Sequence, residues 1–206
     1  MGKERAKKRK IIIVLLALLG IAVLSIVGTM AYFSNTATFK SVFVIGDGVE
    51  IELTEPLWQQ DYPNGVAEFS DPGQVIRKDP TVNNLGSDCW VRFKLELKDA
   101  NGNMITGNQA NDIWSLIDDW NSEFVLDSNY SDSDNGIRYY NYTKILKQGA
   151  NPQTLFEKIE IPSSWTMSRI ENLGTFKIMV YAQAIQTAGF ENNPAGAFEE
   201  LQTFEN

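Results

Sequence analysis

The sequence of 206 residues contains no histidine and only one cysteine, Cys89. The first absence removes the commonest general base, the commonest zinc ligand and every Ser-His or Cys-His nucleophile pair. The second excludes an intramolecular disulfide, so a chain working outside the cell must be held by its core or by assembly. Proline is sparse, at 7 residues. No long Pro/Ser/Gly-rich linker divides residues 32–206, which therefore read as one domain. Positive charge is scarce beyond the N-terminal end. Residues 1–31 hold six Lys/Arg and one Glu, which leaves 12 basic and 25 acidic residues, net −13, in residues 32–206. A body this acidic repels phosphate backbones, so no nucleic acid partner is expected.

There is one long hydrophobic run. A basic head (Lys3, Arg5, Lys7, Lys8, Arg9, Lys10) precedes Ile11 to Val27, and Gly28-Thr29-Met30-Ala31 follows. Basic region, apolar region and a small-x-small site define a secretory signal peptide. Thr29 and Ala31 are the two small residues, so cleavage is expected between Ala31 and Tyr32, with the signal over 1–31. An uncleaved N-terminal transmembrane anchor is the alternative, because the run nearly suffices to span a bilayer. Contact with a membrane is expected through this segment alone.

The remainder alternates with period two in many short stretches. Phe33, Ala37, Phe39 and Phe43 share one parity over residues 33–43, with Ser34, Thr36, Thr38 and Lys40 on the other, which predicts a half-buried strand. Further strands are expected over Val49–Leu53, Gln74–Val82, Cys89–Leu97, Phe124–Leu126, Ile137–Leu146, Leu155–Ile161 and Thr175–Ile185. Turns are expected at Gly46-Asp47-Gly48, Asp71-Pro72-Gly73, Asp99 to Gly102 and Asp132 to Gly136. Ile113, Leu116, Ile117 and Trp120 recur at three and four residues and predict a short helix over Asn111–Trp120. Pro194–Phe204 is a second candidate helix. The pattern is that of an all-β sandwich with short helical insertions over residues 32–206.

Few residues suggest chemistry. Asp127, Asp132, Asp134 and Asn135 form an acidic loop whose spacing is not that of an EF-hand, so a solvated turn is favoured over a calcium site. Asp118-Asp119 is expected as a solvent-facing pair on the short helix. Trp58, Trp90, Trp114, Trp120 and Trp165 are expected in the core, and Cys89 is expected to be buried and inert. No cofactor and no metal are expected, and no catalytic residue is assigned.

Several stretches carry a family resemblance. They are Gly28 to Ser34, Glu52-Leu53-Thr54-Glu55-Pro56-Leu57-Trp58, Pro72 to Gly86 leading into Trp90-Val91-Arg92-Phe93, and Val180 to Gln186. Together they resemble the clostridial branch of the TasA/camelysin family of exported Gram-positive biofilm-matrix proteins, processed by a SipW-type signal peptidase. Residues 100–170 carry no resemblance. The resemblance implies a jelly-roll-like β-sandwich that polymerises into extracellular, pilus-like fibres. It also implies a donor strand in residues 32–46, with Phe33, Ala37, Phe39 and Phe43 filling the groove of the next copy. On pattern alone, residues 33–43 would be a strand of their own domain. Strand addition needs backbone groups to pair with an open edge and alternate side chains to fill a groove. Burial of each Phe contributes roughly 1.5–3 kcal/mol. The expected partners are further copies of the chain, the signal peptidase and an accessory fibre subunit. The alternatives are a monomeric surface adhesin or anchoring protein and, more distantly, a camelysin-like peptidase. The last lacks the two imidazoles that a His-Glu-x-x-His zinc site requires.

Overall fold

The computed structural model describes residues 31–34, 41–46 and 48–203, with the backbone alone for 31–34, 41, 43, 202 and 203. The signal segment up to Met30, with Thr29, and the candidate donor positions Ala37 and Phe39 lie outside the described residues. Among the described residues the protein is mainly β, with a few short helices. No helix among them is long and apolar enough to cross a membrane.

The strands are β1 (Ala31–Ser34), β2 (Ser41–Ile45), β3 (Ile51–Thr54), β4 (Val66–Phe69), β5 (Val75–Arg77), β6 (Thr81–Asn84) and β7 (Cys89–Asp99). They continue with β8 (Ile117–Asp118), β9 (Phe124–Leu126), β10 (Ile137–Tyr142), β11 (Gln153–Thr154), β12 (Lys158–Glu160) and β13 (Phe176–Gln186). The helices are α1 (Pro56–Asp61), α2 (Gly107–Trp114), α3 (Met167–Glu171) and α4 (Pro194–Thr203). The largest sheet runs β4-β1-β13-β7-β10-β9, with β2 also on β13. Two three-stranded sheets, β11-β6-β3 and β5-β12-β8, complete the set.

β7 and β13 form the spine. They pair antiparallel without a break, from Phe176 opposite Asp99 to Gln186 opposite Cys89. Period-two alternation splits each strand between two faces. Val91, Phe93, Leu95 and Leu97 join Phe176, Ile178, Ala182 and Ala184 in the main core, where Ile51, Val82 and Ile159 from the smaller sheets meet them. On the opposite face, Trp90 and Ile185 receive Ala197, Phe198 and Leu201 of α4. There Arg92, wholly buried, donates to the side-chain oxygen of Gln183 and to the Phe198 carbonyl. Burying one such apolar side chain contributes roughly 1.5–3 kcal/mol, so the spine carries much of the stability.

The strands expected over Ile137–Leu146 and Leu155–Ile161 are shorter, at Ile137–Tyr142 and Lys158–Glu160, and three expected elements differ in kind. The stretch Gln74–Val82 is two strands in different sheets, because Pro80 lacks an N–H for the ladder and Asp79 turns aside to α1. The helix expected over Asn111–Trp120 begins earlier and stops at Trp114. Ile117 pairs instead with Ile159 of β12, and Asp119, at φ 57°, cannot continue a right-handed helix. Asp118 and Asp119 are therefore not a helical pair. Both carboxylates face Lys158 Nζ, at 3.3 and 3.4 Å. Finally, the single strand expected over residues 33–43 is two strands, β1 and β2.

Candidate functional site

β13 has one edge committed to β7 along its whole length. Its other edge is taken by the N-terminal end of the chain. Phe33 of β1 pairs in parallel with Phe176. Further along, β2 pairs in parallel with β13, from Ser41 opposite Tyr181 to Ile45 opposite Ile185. Phe33 and Ser41 are eight positions apart, whereas Phe176 and Tyr181 are five apart, so the two pieces do not share one register.

An odd offset exchanges the faces, because strand side chains alternate with period two. In β2 it is Val42 and Val44 that pack on the main core, while Ile45 packs on the α4 cluster. Phe43 takes the register position opposite Gln183. The second edge of β1 pairs antiparallel with β4, with Ala31 opposite Phe69 and Tyr32 opposite Glu68. The expected cleavage point thus lies inside a paired strand.

Two sequence blocks form clamps, the first on the turn after β2 and the second on α1. In the first, Leu85 and Gly86 donate their amides to the Glu50 carbonyl, at 2.8 and 3.0 Å, and Ser87 donates to the Gly48 carbonyl at 2.7 Å. Asn84 links its amide group to the carbonyls of Ser87 and Leu146, both at 2.9 Å, and accepts from the Gly86 amide. Asn84, Leu85 and Gly86 therefore clamp the turn that follows β2.

In the second block, the Asp79 carboxylate accepts the amides of Leu57, at 3.0 Å, and Trp58, at 3.1 Å. These amides lie in the first turn of α1, ahead of any intrahelical carbonyl, and Pro56 opens that turn. The Glu55 carboxylate meets Lys78 Nζ at 2.6 Å, and that ammonium lies 5.0 Å from the centre of the Trp58 ring. Burial pushes the Lys78 ammonium down, against the pull of Glu55 and Asp79. Sequence reasoning missed this pair. No local signal marks it, since Lys78 stands between the charged Arg77 and Asp79.

The other candidates are dispersed. Asp127 accepts from the Asn141 side chain at 2.7 Å, Asp132 from Asn135 at 2.8 Å and Asp134 from Asn111 at 3.2 Å, so the acidic loop spends its carboxylates on separate donors. Trp58, Trp90, Trp114 and Trp165 are buried, and Trp120 stacks on Tyr140 with ring centres 4.6 Å apart. Cys89 is buried, and burial, with the nearby Asp88 charge, pushes its thiol up to about 12.

At the far end of the large sheet, β9 is an edge strand exposing Val125 and Leu126, while β4 at the other end exposes Val66. Comparison with protein-family models, with curated proteins and with solved structures finds no match to this chain.

Proposed function

We propose that this chain is an exported structural subunit with a jelly-roll-like sandwich, cut between Ala31 and Tyr32, that assembles with its own copies into extracellular fibres. In this reading the N-terminal strand of one copy replaces that of the next on β13, and no catalytic step is involved. The reading is supported by one observation above all. The outer edge of β13 is covered by residues from the distant N-terminal end, in two pieces whose registers differ by three residues.

Residues 33–43 and 176–186 are equal in length. A straight strand extended from the Phe33–Phe176 pairing would set Ala37 beside Val180 and Phe39 beside Ala182. Neighbouring residues in paired strands share a face. Phe33, Ala37 and Phe39 would then all address the core face of β13, with the small Ala182 leaving room for Phe39. A single register on a sister molecule gains what the broken register within one chain forgoes.

Cleavage precedes docking in this scheme. A signal peptidase needs an extended, accessible chain, and the backbone at Ala31 and Tyr32 is occupied by β4 once β1 has formed.

The test uses a chain beginning at Tyr32 and carrying Val44→Cys with Ala184→Cys, residues that pair between β2 and β13. Oxidised, it should remain monomeric in size-exclusion chromatography. Reduced, it should form elongated polymers in electron micrographs. Equal polymerisation when locked would sink the exchange.

A second reading, a monomeric surface adhesin or fibre-capping accessory subunit, is favoured by the pairing of β1 and β2 with β13 of the same chain. It predicts a monomer under both conditions.

A further inference from the structure

Lys78 and Glu55 are 23 positions apart in sequence and meet at the ends of β5 and β3. The Lys78 side chain is 0% exposed and the Glu55 side chain 10%. Nζ lies 2.6 Å from Oε1, with the Trp58 ring 5.0 Å away on another side. Asp79 acts as a positioning residue. Its bonds to Leu57 and Trp58 fix the first turn of α1, and Glu55 is the residue just before that turn.

Two ions held this far from water lose their hydration, and their mutual attraction repays that only in part. A lysine so placed is the kind that gives up its proton and becomes a nucleophile. The burial that pushes the Lys78 ammonium down acts in the same direction.

We propose that Lys78 Nζ and the Glu55 side-chain carboxyl condense into an intramolecular isopeptide bond. Proton transfer along the short contact converts the ion pair into an amine and a carboxylic acid. Nζ attacks Cδ of Glu55, the Nζ–Cδ bond forms, and the bond from Cδ to the hydroxyl oxygen breaks. The hydroxyl departs with one amine hydrogen as water. No oxidant, nucleotide or metal enters the balance.

Fixed contact replaces a bimolecular encounter, an advantage worth effective concentrations of about 10⁵–10⁸ M in well-oriented pairs. The product exchanges two buried ions for one neutral amide, which costs far less to keep out of water. It would close a covalent loop around α1 and β4, the strand that carries β1, in a chain whose single cysteine allows no internal disulfide. The inference does not depend on fibre assembly.

The test is the intact mass of the purified, denatured full chain, calculated from whichever N-terminus it carries, followed by proteolysis and fragment sequencing. The expected result is a mass one water below that of the sequence and one branched peptide joining Glu55 to Lys78. Lys78→Arg and Glu55→Ala should each restore the full sequence mass, whether or not they fold. An unmodified wild-type mass overturns the proposal. So does a water loss that maps to a succinimide at Asp47-Gly48, or one that persists in either variant.

Discussion

Gly46 sits so close to Gln186 that a β-carbon added to it would lie 2.6 Å from Gln186 Cγ. Gly46 also holds φ at +104°, a region that side chains other than glycine's avoid. Gln186 is flexible and can swing aside, so the backbone term decides the outcome. Gly46→Ala should therefore cost about 1 kcal/mol, mostly from strain at the exit of β2. Urea titration should show the midpoint falling, and adding Gln186→Ala should not restore it. If strand exchange limits assembly, the same substitution should shorten the lag before polymers appear. An unchanged midpoint would show that the turn after β2 does not hold that strand.

Gly86 presents the opposite balance. Its φ is not strained, but a β-carbon there would meet the Gly48 carbonyl oxygen at 2.3 Å and the Glu50 amide nitrogen at 2.4 Å. Backbone atoms cannot swing away, and the clamp that Leu85, Gly86 and Ser87 make on this turn would have to open. Gly86→Ala should cost about 1–3 kcal/mol, as overpacking does in a well-filled interior. It should also exceed the cost of Gly46→Ala in the same titration. The reverse order would mean that the clamp yields more easily than the left-handed turn.

Alternation made β7 and β13 legible, because each is long, bounded by turn residues and built on a strict two-residue period. The same period misled over residues 33–43. Parity put Phe33 and Phe43 on one face, yet parity holds only while the register does, and three extra residues lie between the two pairings with β13. The helix expected to Trp120 failed for a related reason. Leu116 and Ile117 fit a helical spacing, but their backbone is used by β12, a partner more than 40 residues away. Long-range pairing overrides local periodicity in such short segments. The Glu55–Lys78 contact was invisible because nothing local says that a lysine between Arg77 and Asp79 will be buried. The blocks Glu52–Trp58 and Pro72–Gly86 meet one another around α1, and the second also meets the turn after β2 through Leu85 and Gly86.

Cys89 lies at the start of β7 with its main chain bonded to Leu146 in both directions, at 3.1 and 2.9 Å. Its buried thiol is pushed up to about 12, so almost no thiolate exists at neutral pH. A thiol reagent such as Ellman's should therefore titrate no cysteine in the native protein at pH 8 and one after denaturation. Its reaction rate should follow global unfolding as denaturant rises. Rapid modification of the native chain would mean that the β7 end opens locally.

Several carboxylates are held below their ordinary range by partners that exist only in the folded chain. The Lys147 ammonium does this to Asp88, the Arg77 guanidinium to Asp61, the Lys144 ammonium to Glu123 and the side chain of Asn103 to Asp99. A depressed folded value means that the unfolded chain binds protons first as the solution is acidified. The stabilisation is present above the ordinary values of 3.8 for Asp and 4.5 for Glu, and it is lost as pH falls through the lower folded values. Thermal midpoints should thus stay level from pH 7 to about pH 5 and fall steeply below about pH 4. These groups are at the surface, so added salt should flatten the fall by screening the pairs. Asp88→Asn should remove part of the acid slope while lowering the midpoint at neutral pH. A midpoint that rises on acidification would contradict the sign of every one of these shifts.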